Sequence, residues 1–128
     1  MITGLYAALL ALFLCFLIIN VIAKRRSHKI GLGDGGIDAL SRSIRIHGNF
    51  IEIVPILLLL MYLIEVQDMS RIFLHLYGAA IVISRLLHFC GVRKSAGTSF
   101  GRFAGTIIAL SLLLIGAGVN LYLYVTFF

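Results

Sequence analysis

Four long apolar runs follow one another along this chain of 128 residues, and they constrain its fold more than any other feature. The runs cover residues 5–23, 44–64, 72–90 and 103–125, and charged or glycine-containing segments separate them. About 20 apolar residues in a helix cross the hydrocarbon core of a bilayer, so each run is long enough to span it once. We therefore predict an all-α integral membrane four-helix bundle, organised as a single transmembrane domain over residues 1–128.

The charged residues predict how the bundle is oriented. Basic side chains are concentrated in the loops 24–43 and 91–102, whereas the remaining loop carries Glu65 and Asp68 against Arg71. By the positive-inside rule, the two basic loops are cytoplasmic and both termini face outward. A secretory signal would carry its cations before the first apolar run, and here they follow it. We expect a multi-pass protein of the cell inner membrane.

Three function classes are set aside. The net charge of +6 lies in short loops beside the membrane, where it favours anionic headgroups rather than nucleic acid. Cys15 and Cys90 lie at different depths and form no metal-ligand spacing with the histidines, so no metal site is predicted. Gly31, Gly33 and Gly36 match the G-x-G-x-x-G spacing, but no strand precedes them, and we interpret them as a turn.

Polar residues enter the membrane at the start of the second helix. Arg45, Asn49 and Glu52 stand at positions i, i+4 and i+7, so they share one helical face. An ionisable side chain near the bilayer centre costs at least a few kcal/mol, so this face should meet protein or a watery cavity.

The third and fourth helices bring further cations to the same depth. Arg85 and His88 lie one turn apart on the third helix, and Arg102 begins the fourth. A buried Glu52–Arg85 ion pair could merely hold the helices together. Yet one carboxylate faces several guanidinium groups, and this imbalance favours a binding site in which an anionic ligand supplies the missing charge.

Together these residues resemble the MAPEG family, the membrane-associated proteins in eicosanoid and glutathione metabolism, which includes microsomal glutathione transferases and prostaglandin E synthase. The resemblance covers nearly the whole chain. It rests on Arg45, His47, Asn49, Glu52 and Pro55 in the second helix, on Arg85 and His88 in the third, and on Arg102 opening the fourth. The loop with Gly33 and Gly36 is most similar to the bacterial branch of small inner-membrane members.

The resemblance implies a homotrimer that binds glutathione as a co-substrate between neighbouring subunits, near the cytoplasmic side. It implies a transferase or peroxidase-like enzyme whose lipophilic substrates arrive through the lipid bilayer. The implied glutathione-binding residues are Arg25, Arg45, His47, Asn49, Glu52, Arg85, His88 and Arg102. Arginines suit the two carboxylates of glutathione, while Asn49 and Glu52 suit its ammonium group.

The implied catalytic residues are Arg102, which would stabilise the glutathione thiolate, and Ser99, one turn earlier. Two positions depart from the family pattern. Val92 stands where several eukaryotic members carry a tyrosine, and Phe103 stands where some members carry a serine. Both departures favour binding over catalysis.

Two alternatives belong to other function classes. A small four-helix multidrug transporter would use Glu52 as an intramembrane site for protons and cations. Its carboxylate should stand in an arginine-poor cavity, whereas Arg45 accompanies Glu52 here. The other alternative is a non-catalytic lipid-binding trimer, which the absent tyrosine keeps open.

Overall fold

Four long α-helices make up the computed structural model, which describes residues 1–95 and 97–128. They are α1 (Ile2–His28), α2 (Asp38–Glu65), α3 (Arg71–Lys94) and α4 (Phe100–Phe127). The described residues contain no strand, and each helix is long and apolar enough to cross a membrane. The predicted all-α membrane class is therefore confirmed. Every helix extends past its predicted span, because helical hydrogen bonding continues beyond the apolar run into the polar residues at the membrane surface.

The helices form an antiparallel bundle in which α2 contacts all the others. The α3 and α4 helices share the most extensive contact, while α1 packs on α2 and α3 and, in the described part of the chain, does not reach α4. Lys24 near the end of α1 donates to the Ser43 hydroxyl near the start of α2, and Arg42 Nη1 donates to the Arg93 carbonyl. The basic loops thus lie at one end of the bundle, as their common side of the membrane requires.

One face of α2 supplies the centre of the apolar core. Its buried residues recur at three- and four-residue intervals, as a helix with one protected stripe requires, and they are Phe50, Val54, Leu57, Met61 and Ile64. Large apolar side chains also cover much of the outer surface, including Leu114 and Leu121 at 67% and 66% exposed. Such a surface suits lipid rather than water.

Small residues allow α3 and α4 to approach closely. A Cβ atom added to Gly105 would lie 2.7 Å from the Ser84 carbonyl oxygen and 2.8 Å from the His88 backbone nitrogen. One added to Gly101 would lie 2.7 Å from the Leu87 carbonyl oxygen. Backbone this close leaves no room for a side chain, so van der Waals packing between the two helices depends on these glycines.

Glu65 lies at the end of the bundle opposite the basic loops. No side chain within α1 caps its first turn, and the Glu65 carboxylate accepts instead from the backbone N–H groups of Ile2 and Thr3. A carboxylate at this position satisfies two unpaired donors and complements the positive end of the helix dipole. The last residue of α2 therefore serves as the cap of α1.

Removing that charge should loosen the start of α1. We expect Glu65→Gln to lower the free energy of unfolding by about 1 kcal/mol, the usual worth of a helix cap. Hydrogen exchange of the Ile2 and Thr3 amides should accelerate more than exchange in the middle of the helix. Asp68→Asn is the matched control. It removes one negative charge three residues after Glu65, and Asp68 does not take part in the cap. Equal effects of the two variants would contradict the capping role.

Candidate functional site

A cleft of about 170 Å³ opens at the basic end of the bundle, lined by Ser41, Arg42, Arg45, Val92 and Arg102. We call it the arginine cleft. Arg42 and Arg45 stand three residues apart and so share one face of α2. Arg102 lies in the first turn of α4, where the Ser99 hydroxyl accepts its backbone N–H at 3.3 Å. Three guanidinium groups from two helices therefore converge on one opening.

The guanidinium group of Arg42 contacts two neighbours. Its Nη1 donates to the Arg93 carbonyl, which ties the start of α2 to the end of α3. Its Nε lies 3.1 Å from an Asp38 carboxylate oxygen, but the N–H is not directed at that oxygen, so this is an ion pair without a hydrogen bond. Since the Asp38 side chain is 69% exposed, it neutralises the arginine only weakly.

Arg45 and Glu52 form an ion pair on the outside of the four-helix bundle. Arg45 Nη2 lies 2.8 Å from Glu52 Oε2, and their side chains are 46% and 59% exposed. Both residues belong to a helix that is apolar enough to cross the membrane. Two charged groups exposed at this depth would be costly against lipid, so something other than acyl chains should cover them.

Arg85 lies inside the bundle instead. It is 2% exposed, and it donates to Asn49 Oδ1 at 2.5 Å, to the Gly105 carbonyl at 3.3 Å and to the Ser84 hydroxyl at 3.0 Å. The sequence suggested a Glu52–Arg85 ion pair as a purely structural alternative. The structure does not contain that pair. Among the described residues, no carboxylate lies within 4.0 Å of Arg85, and Glu52 pairs with Arg45 instead.

The other predicted site residues are divided among several places. His88 is 4% exposed on α3, where its backbone faces Gly105, and His47 is half-buried on α2. Arg25 lies away from the arginine cleft, because its Nη1 donates to the Gly33 carbonyl at 2.6 Å in the loop after α1. Ser99 caps α4, a structural role that accounts for its hydroxyl.

Arg42 is the residue of the cleft that sequence reasoning missed as a binding residue. The sequence does contain an indication of this role, because Arg42 precedes Arg45 by three residues and therefore falls on the same helical face. A larger opening of about 640 Å³ lies at the opposite end, lined by Met1, Glu65, Asp68 and His75 among others. The Glu65 carboxylate in this opening is already engaged in capping α1, and the predicted site residues lie elsewhere.

The arrangement is suited to binding an organic anion. Guanidinium groups donate paired hydrogen bonds to carboxylates and phosphates, and Glu52 beside them can accept from an ammonium group. Within residues 1–95 and 97–128, no three His, Cys, Asp or Glu side chains come together as a group that could hold a metal ion.

Comparison with known proteins gives consistent matches. The model of the MAPEG family matches residues 3–122. The inner membrane protein YecN of Escherichia coli K12 is 36% identical over 91 residues, which cover 71% of this chain and 70% of YecN. YecN of Escherichia coli O6:H1 gives the same values. With four membrane-length helices and an inner-membrane relative, the predicted inner-membrane location is confirmed.

Proposed function

Since this chain belongs to the MAPEG family, we propose that it binds glutathione in a homotrimer and joins glutathione, through its thiol sulfur, to lipophilic electrophiles. The observation that supports this most is the arginine cleft, in which Arg42, Arg45 and Arg102 meet beside the carboxylate of Glu52. Glutathione carries two carboxylates and one ammonium group at neutral pH. Its charges thus complement a site with several guanidinium groups and one carboxylate.

The size of the arginine cleft supports a site shared between subunits. Pockets for small organic ligands usually enclose about 300–1,000 Å³, whereas the cleft in one subunit measures about 170 Å³. One subunit therefore covers only part of a tripeptide. The exposed Arg45–Glu52 pair lies on α2, which also contributes Arg42 to the cleft. A second copy of the chain packed against this face of α2 would shield both charges from lipid.

Glu52 has a specific task in this proposal. In the free protein its carboxylate pairs with Arg45, at 2.8 Å. When glutathione binds, Arg45 would turn to a ligand carboxylate and Glu52 to the ligand ammonium. One internal ion pair is thereby exchanged for two with the ligand, and an uncharged analogue would gain nothing from the exchange.

Arg102 would act on the thiol. It stands in the first turn of α4, where the helix dipole and the guanidinium both favour a nearby anion. The thiol proton leaves to water, and the thiolate sulfur attacks an electron-poor carbon of the substrate. A new carbon–sulfur bond forms while the bond to the leaving group breaks, and the leaving group departs with that electron pair.

Glutathione binding tests the proposal directly. We expect the detergent-solubilised protein to be a trimer by light scattering and to bind glutathione in calorimetry. Arg45→Ala should weaken binding by roughly 1.5–3 kcal/mol, the worth of hydrogen bonds to a charged group. Arg26→Ala is the matched control, because Arg26 is an exposed cation of the same end that does not line the cleft. Glutathione binding by a stable monomer would contradict the proposal that the site lies between subunits.

Arg102→Ala should behave differently from Arg45→Ala. A group that stabilises the thiolate contributes more to the reactive state than to the bound thiol, so turnover should fall more than affinity. Thiolate absorbance against pH and conjugation rates with an aromatic electrophile measure the two effects. If glutathione does not bind, and lipophilic cations bind in competition with protons at Glu52, the transporter alternative replaces this proposal.

A further inference from the structure

A second polar cavity lies at the basic end of the bundle, between α1, α2 and the last turn of α3. It has a volume of about 30 Å³, and its polar lining comes from Asn20, Lys24, Arg42, Ser43 and Arg93. We call it the Lys24 cavity. Lys24, Asn20 and Ser43 do not line the arginine cleft, and Arg42 borders both openings. The Lys24 cavity is therefore a separate place with its own chemistry.

Lys24 is fixed in the cavity by neutral partners. Its Nζ donates to Ser43 Oγ at 2.5 Å, and Asn20 Nδ2 donates to the same hydroxyl at 3.4 Å. Ser43 is itself 4% exposed, so this hydroxyl is a buried anchor rather than a surface contact. In the described part of the chain, no carboxylate lies within 4.0 Å of Lys24. An ammonium group has three donors, and a single hydroxyl leaves its charge uncompensated.

Arg42 adds a second positive charge to the same wall. It is close enough to Lys24 for their like charges to repel. Its buried Nε donor makes no hydrogen bond, and the carboxylate beside it belongs to Asp38, which is 69% exposed. Holding two cations together around a small cavity is unfavourable unless an anion lies between them.

We propose that Lys24 and Arg42 bind the phosphate group of an anionic phospholipid. A volume of about 30 Å³ holds one group the size of a water molecule, which suits a single phosphate oxygen while the rest of the headgroup stays outside. The cavity lies at the end of two membrane-length helices. Phe16 lies one turn before Asn20 and two turns before Lys24, on the same side of α1, and it is 50% exposed, so it offers an apolar surface against which an acyl chain can lie.

The site takes its selectivity from charge and depth. A cation pair at headgroup level attracts phosphatidylglycerol, which has net negative charge, more than zwitterionic phosphatidylcholine, whose choline cation would approach the same arginine and lysine. Inorganic phosphate offers the same oxygens without acyl chains, so it lacks the apolar contact with α1. These three ligands therefore separate the contributions of charge, phosphate and lipid.

Native mass spectrometry of the delipidated full-length protein can count bound lipids while each probe is titrated. We expect phosphatidylglycerol to bind to the wild-type protein, and Lys24→Gln to weaken it about tenfold, the loss expected for one hydrogen bond to a charged group. Lys24→Arg should retain the lipid, because the charge stays. Lys94→Gln is the control, since it removes one charge from the exposed end of α3, outside the cavity lining.

Folding and glutathione binding are followed in the same variants. Lys24→Gln should keep its helical circular dichroism and its glutathione affinity, because Lys24 does not line the arginine cleft. The proposal fails if phosphatidylcholine binds as tightly as phosphatidylglycerol, or if Lys24→Gln and Lys94→Gln lose lipid equally. It also fails if inorganic phosphate in detergent protects the protein from thermal unfolding as well as phosphatidylglycerol does, because the ligand would then be a soluble anion.

Discussion

Gly105→Leu should lower the free energy of unfolding by about 3 kcal/mol, the upper range for overpacking a well-packed interior. The first atom of the new side chain would meet the Ser84 carbonyl oxygen at 2.7 Å and the His88 backbone nitrogen at 2.8 Å. Both neighbours are backbone atoms of α3, so no side chain can turn away to make room. The two helices must separate, and their separation also strains the Gly105 carbonyl that accepts from Arg85. Unfolding in mixed micelles, followed by circular dichroism, measures the loss.

Gly118→Leu is the matched control for this prediction. Gly118 lies on the same helix, and a Cβ atom added there would meet nothing within 4 Å. Leucine also has the higher helix propensity, so this variant should be neutral or slightly more stable than the wild type. If both substitutions destabilise the protein equally, the cause is not the close contact between α3 and α4.

Asn49→Leu should cost about 3 kcal/mol of stability in the absence of ligand. The Asn49 side chain accepts from Arg85 at 2.5 Å, and Arg85 is 2% exposed. Leucine removes that acceptor and leaves a buried guanidinium donor without its partner, which costs more than the bond itself contributes. The same unfolding assay applies, and the Asn49→Asp variant should be tolerated because a carboxylate can accept the same bond.

A double substitution shows whether the cost comes from the unpaired guanidinium. Arg85→Met removes the buried charge while keeping an unbranched side chain, so Asn49→Leu should destabilise that variant far less than it destabilises the wild type. The coupling energy of the double-mutant cycle should reach at least 1 kcal/mol, as expected for residues in direct contact. Additive effects would mean that Asn49 contributes through packing alone.

The membrane class and the number of helices could be predicted because they depend on local hydrophobicity, which each segment carries in its own residues. Helix ends were less predictable. The α2 helix begins at Asp38, six residues before the predicted span, since polar residues can remain helical in the headgroup region and contribute no hydropathy signal. Such ends are specified by hydrogen bonding rather than by apolar content.

The site was predictable in its residue types more than in its arrangement. Spacing places Arg45, Asn49 and Glu52 on one face of α2, but it does not show whether that face points toward the other helices or away from them. In the structure, this face lies at the edge of the four-helix bundle. Arg45 and Glu52 are exposed, while Asn49 reaches inward to Arg85. That division depends on helix rotation, which is a property of the whole bundle.

The capping of α1 by Glu65 relates the order of synthesis to the order of folding. The first helix is synthesised before the residue that caps its first turn, because the N–H groups of Ile2 and Thr3 donate to a carboxylate at position 65. Until then, water at the membrane surface has to satisfy those backbone groups. The amino terminus consequently reaches its final state only when the second helix has crossed the bilayer and returned its last residue to the side where the chain began.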